Sequence, residues 1–289
     1  MQKSNPKKKR VKEQSQALPG LEKRMDPQPE FDDDSKGSNI LQDKKCIITG
    51  GDSGIGRAVA VAFAKQGADV AIIHHPDEKE DAEFTAAYIQ KNFGRECLIV
   101  ATDISKEKNC KSAVQKVLKS FEKIDILINN AAVQYPESEI TEISTENLMN
   151  TFSVNIFAMF WITSEVLPHI RKGGCIVNTT SVTAYRGSPK LLDYSATKGA
   201  IVSFTRSLSA NLIDKGIRVN GVAPGPVWTP LIAATFPPEE VAKFGTDSPM
   251  KRPAQPREVA PAFVFLASQD SSFISGQIIH VNGGEIVNG

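Results

Sequence analysis

Thr49-Gly50-Gly51-Asp52-Ser53-Gly54-Ile55-Gly56 is the stretch whose reading decides the fold. It follows a short apolar run, Cys46–Thr49, and leads into an amphipathic one, Gly54–Gln66. Glycines spaced G-x-x-x-G-x-G between a strand and a helix suit a turn that receives an anion. Gly50 supplies the tight turn, Gly54 lets the backbone approach a pyrophosphate, and Gly56 lets the helix pack closely on the strand. Free N–H groups at the helix start, with the dipole behind them, hold the phosphates, and Asp52, Ser53 and Ile55 lie in the same turn. Glycine-rich turns also occur with no ligand. The position between the first strand and the first helix is what favours a nucleotide.

Outward from this turn the pattern repeats. Val70–Ile73, Cys97–Ala101, Ile124–Asn129, Cys175–Thr179, Ile217–Val222 and Gln277–Val281 are further β-branched, nearly continuous apolar runs, as in strands buried on both faces. Helical stretches separate them: Glu80–Phe93, Lys106–Glu122, Thr145–Ile170, Tyr194–Lys215 and Glu258–Ala267. The alternation predicts an α/β fold, a single doubly wound Rossmann domain over residues 41–289 with a parallel sheet of about seven strands. Ligands of such sheets bind beyond the carboxyl ends of the strands.

Residues 1–40 lack this periodicity and read as a flexible arm, with a basic block at Lys7-Lys8-Lys9-Arg10 and an acidic one at Asp32-Asp33-Asp34. Pro6 to Lys12 has the composition of a nuclear-localisation or nucleic-acid tether, but a short basic run is more often a solvated tail. A net charge of +1 gives no overall field toward nucleic acid or an anionic membrane, and no apolar run is long enough to span a bilayer. No apolar segment follows the basic N-terminus, so a secretory signal is not expected. Cys46, Cys97, Cys110 and Cys175 form no C-x-x-C pair and read as reduced thiols of a cytoplasmic protein. The four histidines show no metal-ligand spacing, so no metal is expected.

The second strand runs into His74-His75-Pro76-Asp77-Glu78, where an adenosine ribose is expected. No Arg or Lys lies between Val70 and Glu78, and Asp52, Asp77 and Glu78 repel a 2′-phosphate; His75 assists one only when protonated. NAD is favoured over NADP.

Tyr194-Ser195-Ala196-Thr197-Lys198 opens a helix and puts Tyr194 and Lys198 on one face. A phenol titrates near pH 10, and a nearby ammonium lowers that value, which makes tyrosine usable as a general acid/base. An isolated Y-x-x-x-K is usually a surface pair. Here Asn129-Asn130-Ala131-Ala132 ends the fourth strand, Ser181 follows the fifth, and Pro224-Gly225-Pro226-Val227 follows the sixth. Over residues 40–289 these motifs, in this order and spacing, resemble the short-chain dehydrogenase/reductase family; Ala132 stands where the family more often has glycine. Thr49–Arg57, Gln134, Trp228-Thr229-Pro230 and the arm's Leu18-Pro19-Gly20 and Met25-Asp26-Pro27 are similar to a bacterial subgroup with a long N-terminal arm, akin to aldehyde reductases and glucose/ribitol dehydrogenase homologues.

The resemblance implies roles. Tyr194 exchanges the proton with the carbonyl or alcohol oxygen, Ser181 holds that oxygen, Lys198 lowers the tyrosine value and binds the nicotinamide ribose, and Asn155 holds a water that links Lys198 to solvent. Asp103, with Ile104 beside it, meets the adenine. Asn130, Ala131 and Ala132 pack on the adenosine side, and Pro224, Gly225, Val227 and Thr229 border the carboxamide and pyrophosphate. A homotetramer is implied as well. Residues 227–256 break the alternation and read as a lid, and Gln134, Val182, Tyr185 and Trp228 are the expected substrate wall, beside Ser181 and Tyr194. A mostly apolar wall suits a small aldehyde, ketone or alcohol, with sugar or polyol oxidation as the alternative. A catalytically silent nicotinamide sensor is disfavoured, because Asn155, Ser181, Tyr194 and Lys198 are all present.

Overall fold

Seven strands run parallel in one sheet: β1 (Lys45–Thr49), β2 (Asp69–His74), β3 (Cys97–Ala101), β4 (Ile124–Asn129), β5 (Ile170–Thr179), β6 (Arg218–Pro224) and β7 (Ile278–Val281). Their spatial order in this computed structural model, which describes residues 11–33 and 35–287, is β3-β2-β1-β4-β5-β6-β7. The order reverses direction between β1 and β4, so the loops after these two strands part and open a crevice.

The strands are apolar throughout because both faces are covered. Successive side chains alternate: Ile48, Val70 and Ile72 pack with Val59, Phe63 and Phe263, whereas Ile47, Ala71 and Ile73 pack with Val114, Val117 and Ile162. On one face lie α1 (Gly54–Lys65), α2 (Lys79–Phe93) and α10 (Pro256–Ala267); on the other lie α3 (Glu107–Phe121), α5 (Ala158–Val166) and α7 (Leu192–Leu212). The remaining helices are short: α4 (Thr145–Phe152), α6 (Thr183–Arg186), α8 (Pro230–Thr235) and α9 (Pro238–Val241). A single parallel sheet with helices on both faces is the expected architecture.

One predicted helix differs. Thr145–Ile170 is α4 and α5 joined by a π-helical turn, Ser153–Phe157, and ended by a 3₁₀ turn containing Pro168, after which β5 begins at Ile170. Apolar periodicity does not register one extra residue per turn, so the sequence shows one continuous helix.

The arm also differs from a flexible tail. Met25 is buried against Trp228, Ile232 and Val241, and the Trp228 indole N–H donates to the Pro27 carbonyl at 2.9 Å. Phe31 meets Tyr88 edge-on at 5.0 Å between ring centroids. These anchors have no helical or strand spacing because they follow the surface of the finished domain. The basic block Lys7–Arg10 and Asp34 lie outside the described residues.

Candidate active site

The glycine turn is shaped by contact. A Cβ on Gly56 would lie 1.8 Å from the Gly50 carbonyl oxygen, and Gly50 and Gly54 hold φ of +62° and +53°. Asn130 locks the turn from β4: its Nδ2 donates to the carbonyls of Thr49 and Gly50 at 3.2 and 3.1 Å, and its Oδ1 accepts from Thr179 Oγ1 at 3.2 Å. The N–H groups of Asn130 and Ala131 donate to Thr49 Oγ1 at 2.9 and 3.1 Å. Three strand ends are thereby tied at one point.

Beside this knot, Tyr194 and Lys198 leave the first turns of α7. Lys198 is buried; its Nζ donates to the Thr179 carbonyl at 3.0 Å and lies 5.2 Å from the centre of the Tyr194 ring. The Ser181 hydroxyl accepts from the N–H and the hydroxyl of Thr183, both at 3.1 Å, and lies near enough to the Tyr194 phenol to oppose its upward shift. Asn155 sits in the π-turn, its Oδ1 accepting from Val133 N–H at 2.8 Å and its Nδ2 donating to the Val133 carbonyl at 3.0 Å and to Thr197 Oγ1 at 3.1 Å. The turn's extra residue rotates Asn155 into a buried position between the β4 loop and α7, which also explains a mid-helix asparagine.

Burial dominates the electrostatics of the pair. Burial pushes Tyr194 up to about 12, with the Ser181 hydroxyl opposing it, and burial pushes Lys198 down to about 7. The protein alone therefore keeps the phenol protonated at neutral pH, the form that donates. Burial acts on the lysine in the opposite sense, favouring its neutral form.

A cavity of about 470 Å³ runs from the end of β2 to this pair. Gly50, Asp52, Ser53, Gly54, Ile55, His75, Asp103, Ile104, Asn130, Ala131, Ala132, Tyr194, Lys198 and Thr229 line it. Asp103 accepts from the Ser105 N–H at 2.9 Å; burial is outweighed by Ser105 and Lys106, which hold its carboxyl below the usual range. Ser181 adjoins the wall beside Tyr194, and Gly56, Asn155, Pro224, Gly225 and Val227 are not among the lining residues: Gly225 N–H donates to the Val281 carbonyl at 2.9 Å, and Val227 bridges to Ala254.

The expected substrate wall is placed elsewhere. Trp228 is fully buried against the arm, Gln134 is buried with its Nε2 on Thr235 Oγ1 at 2.8 Å, Val182 is buried, and the Tyr185 ring packs edge-on to His280 at 4.5 Å. Val133, Tyr135, Asn150, Val154 and Leu231 line the cavity instead, with Asn150 Nδ2 donating to the Tyr135 hydroxyl at 2.7 Å. Tyr135 neighbours Gln134 in sequence, and nothing in the sequence shows which of the two turns inward.

A nicotinamide dinucleotide fits these residues on a structural test. Asp52 is buried at the cavity wall with neither carboxylate oxygen hydrogen-bonded, and His74 Nε2, also at the wall, is buried without a partner. Buried polar atoms are normally paired, so such atoms mark where ligand hydroxyls belong.

A family model described as enoyl-(acyl carrier protein) reductase matches residues 50–285. The chain is 52% identical to a carrot glucose and ribitol dehydrogenase over 96% of this chain and 97% of that protein. It is 49% identical to the Arabidopsis thaliana NADPH-dependent aldehyde reductase 1, over 96% and 98% of the two chains. Among solved structures, a Brucella melitensis 3-ketoacyl-(acyl-carrier-protein) reductase complexed with NADH superposes with a TM-score of 0.76 at 34% identity, over 84% of this chain and 98% of that one.

Proposed function

Because the chain belongs to the short-chain dehydrogenase/reductase family, we propose that Tyr194, Ser181, Lys198 and Asn155 carry its reaction. The protein is an NAD(P)-dependent oxidoreductase acting between a small carbonyl and its alcohol. The observation that carries the assignment of roles is Tyr194 beside the buried Lys198 at one end of the dinucleotide-sized cavity.

A bound nicotinamide supplies or receives the hydride. In reduction, Tyr194 gives its phenolic proton to the substrate oxygen, which Ser181 holds by its hydroxyl. In the oxidative direction Tyr194 takes that proton back. Lys198, fixed on the Thr179 carbonyl, stands under the phenol as the next proton-bearing group, and Asn155 fixes the Val133 backbone beside it. The cofactor would be held by the Ser53–Gly56 turn at its phosphates and by Asp103 and Asn130–Ala132 on the adenosine side.

NAD is the favoured cofactor. The cavity wall beyond β2 presents Asp52, Asp77 and Glu78 and no Lys or Arg among the described residues. Burial raises the Asp52 carboxyl, which softens its repulsion, so the missing cation decides the preference. Val133, Val154 and Leu231 suit a small aldehyde, ketone or alcohol. The Tyr135–Asn150 pair is the observation that favours the second reading, a sugar or polyol. The assembly is read as a homotetramer through α5 and α7, where the exposed Phe160 ring packs tilted against Phe204 at 4.5 Å between centroids. A cytoplasmic setting fits four free cysteines. Among the described residues no helix is long and apolar enough to cross a membrane.

The test is titration with NADH and NADPH by nicotinamide fluorescence, with turnover of aldehyde and polyol panels by the native chain and Tyr194→Phe. Expected are tighter NADH binding and a loss of turnover of at least about 10³-fold in the variant with cofactor affinity kept. Binding without turnover of any substrate by the native chain favours a sensor; binding of neither cofactor overturns the reading.

A further inference from the structure

The arm carries none of the chemistry above, yet it builds one side of the cavity through Leu18, Pro19 and Gly20. Two residues on, Glu22 is fully buried. Its Oε2 accepts the Gly54 N–H at 2.5 Å and its Oε1 accepts from Arg57 Nη1 at 2.5 Å. Its own N–H donates to Asp81 Oδ2 at 2.7 Å. Arg57 is buried too, reaching Asp81 Oδ1 at 3.1 Å and donating through Nε to the Asp52 carbonyl and Thr85 Oγ1, both at 2.8 Å. An arm carboxyl group thus grips the glycine turn at Gly54 and, together with Asp81, pairs the guanidinium that braces the turn from behind.

The segment is fastened on either side of Glu22. Gln16 N–H donates to the Ala233 carbonyl of α8 at 2.9 Å, and a Cβ on Gly20 would lie 2.7 Å from the Pro230 carbonyl oxygen. Met25 is buried in the Trp228 cluster, and Glu30 pairs with Arg257 at 2.7 Å. One strand of backbone therefore joins α8, whose Pro230 and Leu231 face the cavity, to the glycine turn opposite.

We propose that Leu18–Met25 is a strap that completes the dinucleotide cavity, with Glu22 a positioning residue that sets the phosphate-binding turn before the cofactor arrives. The proposal rests on the dinucleotide reading of this cavity. A buried carboxylate is tolerated when it is paired and hydrogen-bonded, as Glu22 is, and its removal frees the Gly54 N–H and leaves Arg57 short of one partner. The turn then has more conformations to lose on binding, which costs affinity rather than chemistry.

The test compares the full-length native chain with Glu22→Ala, Glu22→Gln and Gly20→Val. Readouts are Kd for NADH and NADPH by fluorescence, and limited proteolysis of the arm with and without cofactor. Glu22→Ala is expected to weaken binding about tenfold or more, the scale of one charge-assisted hydrogen bond, while Glu22→Gln keeps an oxygen for Gly54 but sets an NH2 donor against Arg57 and recovers only part of it. Gly20→Val, which lifts the strap off α8, is expected to weaken binding and to expose the arm to protease together; because Gly20 also lines the cavity, weaker binding with an arm as protected as the native one overturns the strap. Should Glu22→Ala fail to fold, Gly20→Val decides alone. Folded variants that bind within twofold of the native chain overturn the strap, and so does tighter binding, which would make Glu22 a competitor of the phosphates. A native chain that binds neither cofactor overturns the underlying reading instead.

Discussion

Replacing Gly56 by alanine sets a methyl group against the hardest backbone in the site. The new Cβ would be 1.8 Å from the Gly50 carbonyl oxygen and 2.7 Å from Asn130 Nδ2, where ordinary contact begins at 3.4 Å. One partner must move by about 1.6 Å. Gly50 cannot yield cheaply: its N–H donates to the Ile73 carbonyl at 2.7 Å and its carbonyl accepts from Asn130 at 3.1 Å. Overpacking a fixed site costs about 1–3 kcal/mol, and for a chain of this size each kcal/mol lowers Tm by roughly 2–4 °C. The displaced atoms are the turn proposed to hold the phosphates, and misplacement by an ångström is worth about 10² in such a constant. The expected Gly56→Ala protein is folded, melts about 2–12 °C lower and binds NADH about 100-fold more weakly. Differential scanning calorimetry and the fluorescence titration measure both. A variant with native Tm and a Kd within twofold refutes the reasoning, because it would mean that helix α1 slides without carrying the turn.

Lys198→Met tests the desolvated lysine. Its value of about 7 in the fold lies below the ordinary 10.5, so between these pH values the unfolded chain binds the extra proton and stability rises with pH. The variant should therefore melt above the native protein at pH 7, with the gap closing toward pH 10; a constant gap sinks the assignment. Asn178→Leu removes the middle of a buried chain in which Asn129 Nδ2 donates to Asn178 Oδ1, and Asn178 Nδ2 to Thr205 Oγ1, both at 2.9 Å. It should cost about 2–4 kcal/mol in urea unfolding, and a loss below about 0.5 kcal/mol would show that these bonds carry little net stability.

What the sequence determined by itself is what local chemistry dictates. Seven short apolar runs alternating with amphipathic stretches can be buried only as a parallel sheet covered on both faces, so the fold was legible. The glycine turn, Asn130 and Ser181 stand at one edge because each follows a strand and parallel topology brings every strand's carboxyl end there, and the Tyr194–Lys198 spacing marks one face of the long helix that follows β5. Only the tertiary structure decided the rest. Which of Gln134 and Tyr135 turns inward depends on the backbone path of a loop, and Trp228 reads equally well as pocket wall or core until the arm is seen to cover it. The π-turn at Asn155 is a matter of one extra residue, which periodicity does not resolve. The desolvation of Tyr194 and Lys198 was not legible from spacing, because i,i+4 placement gives proximity but not surroundings. The contact between Glu22 and Gly54 spans 32 residues of chain with no periodicity to announce it, and such a contact exists only once the domain offers the arm a surface to follow.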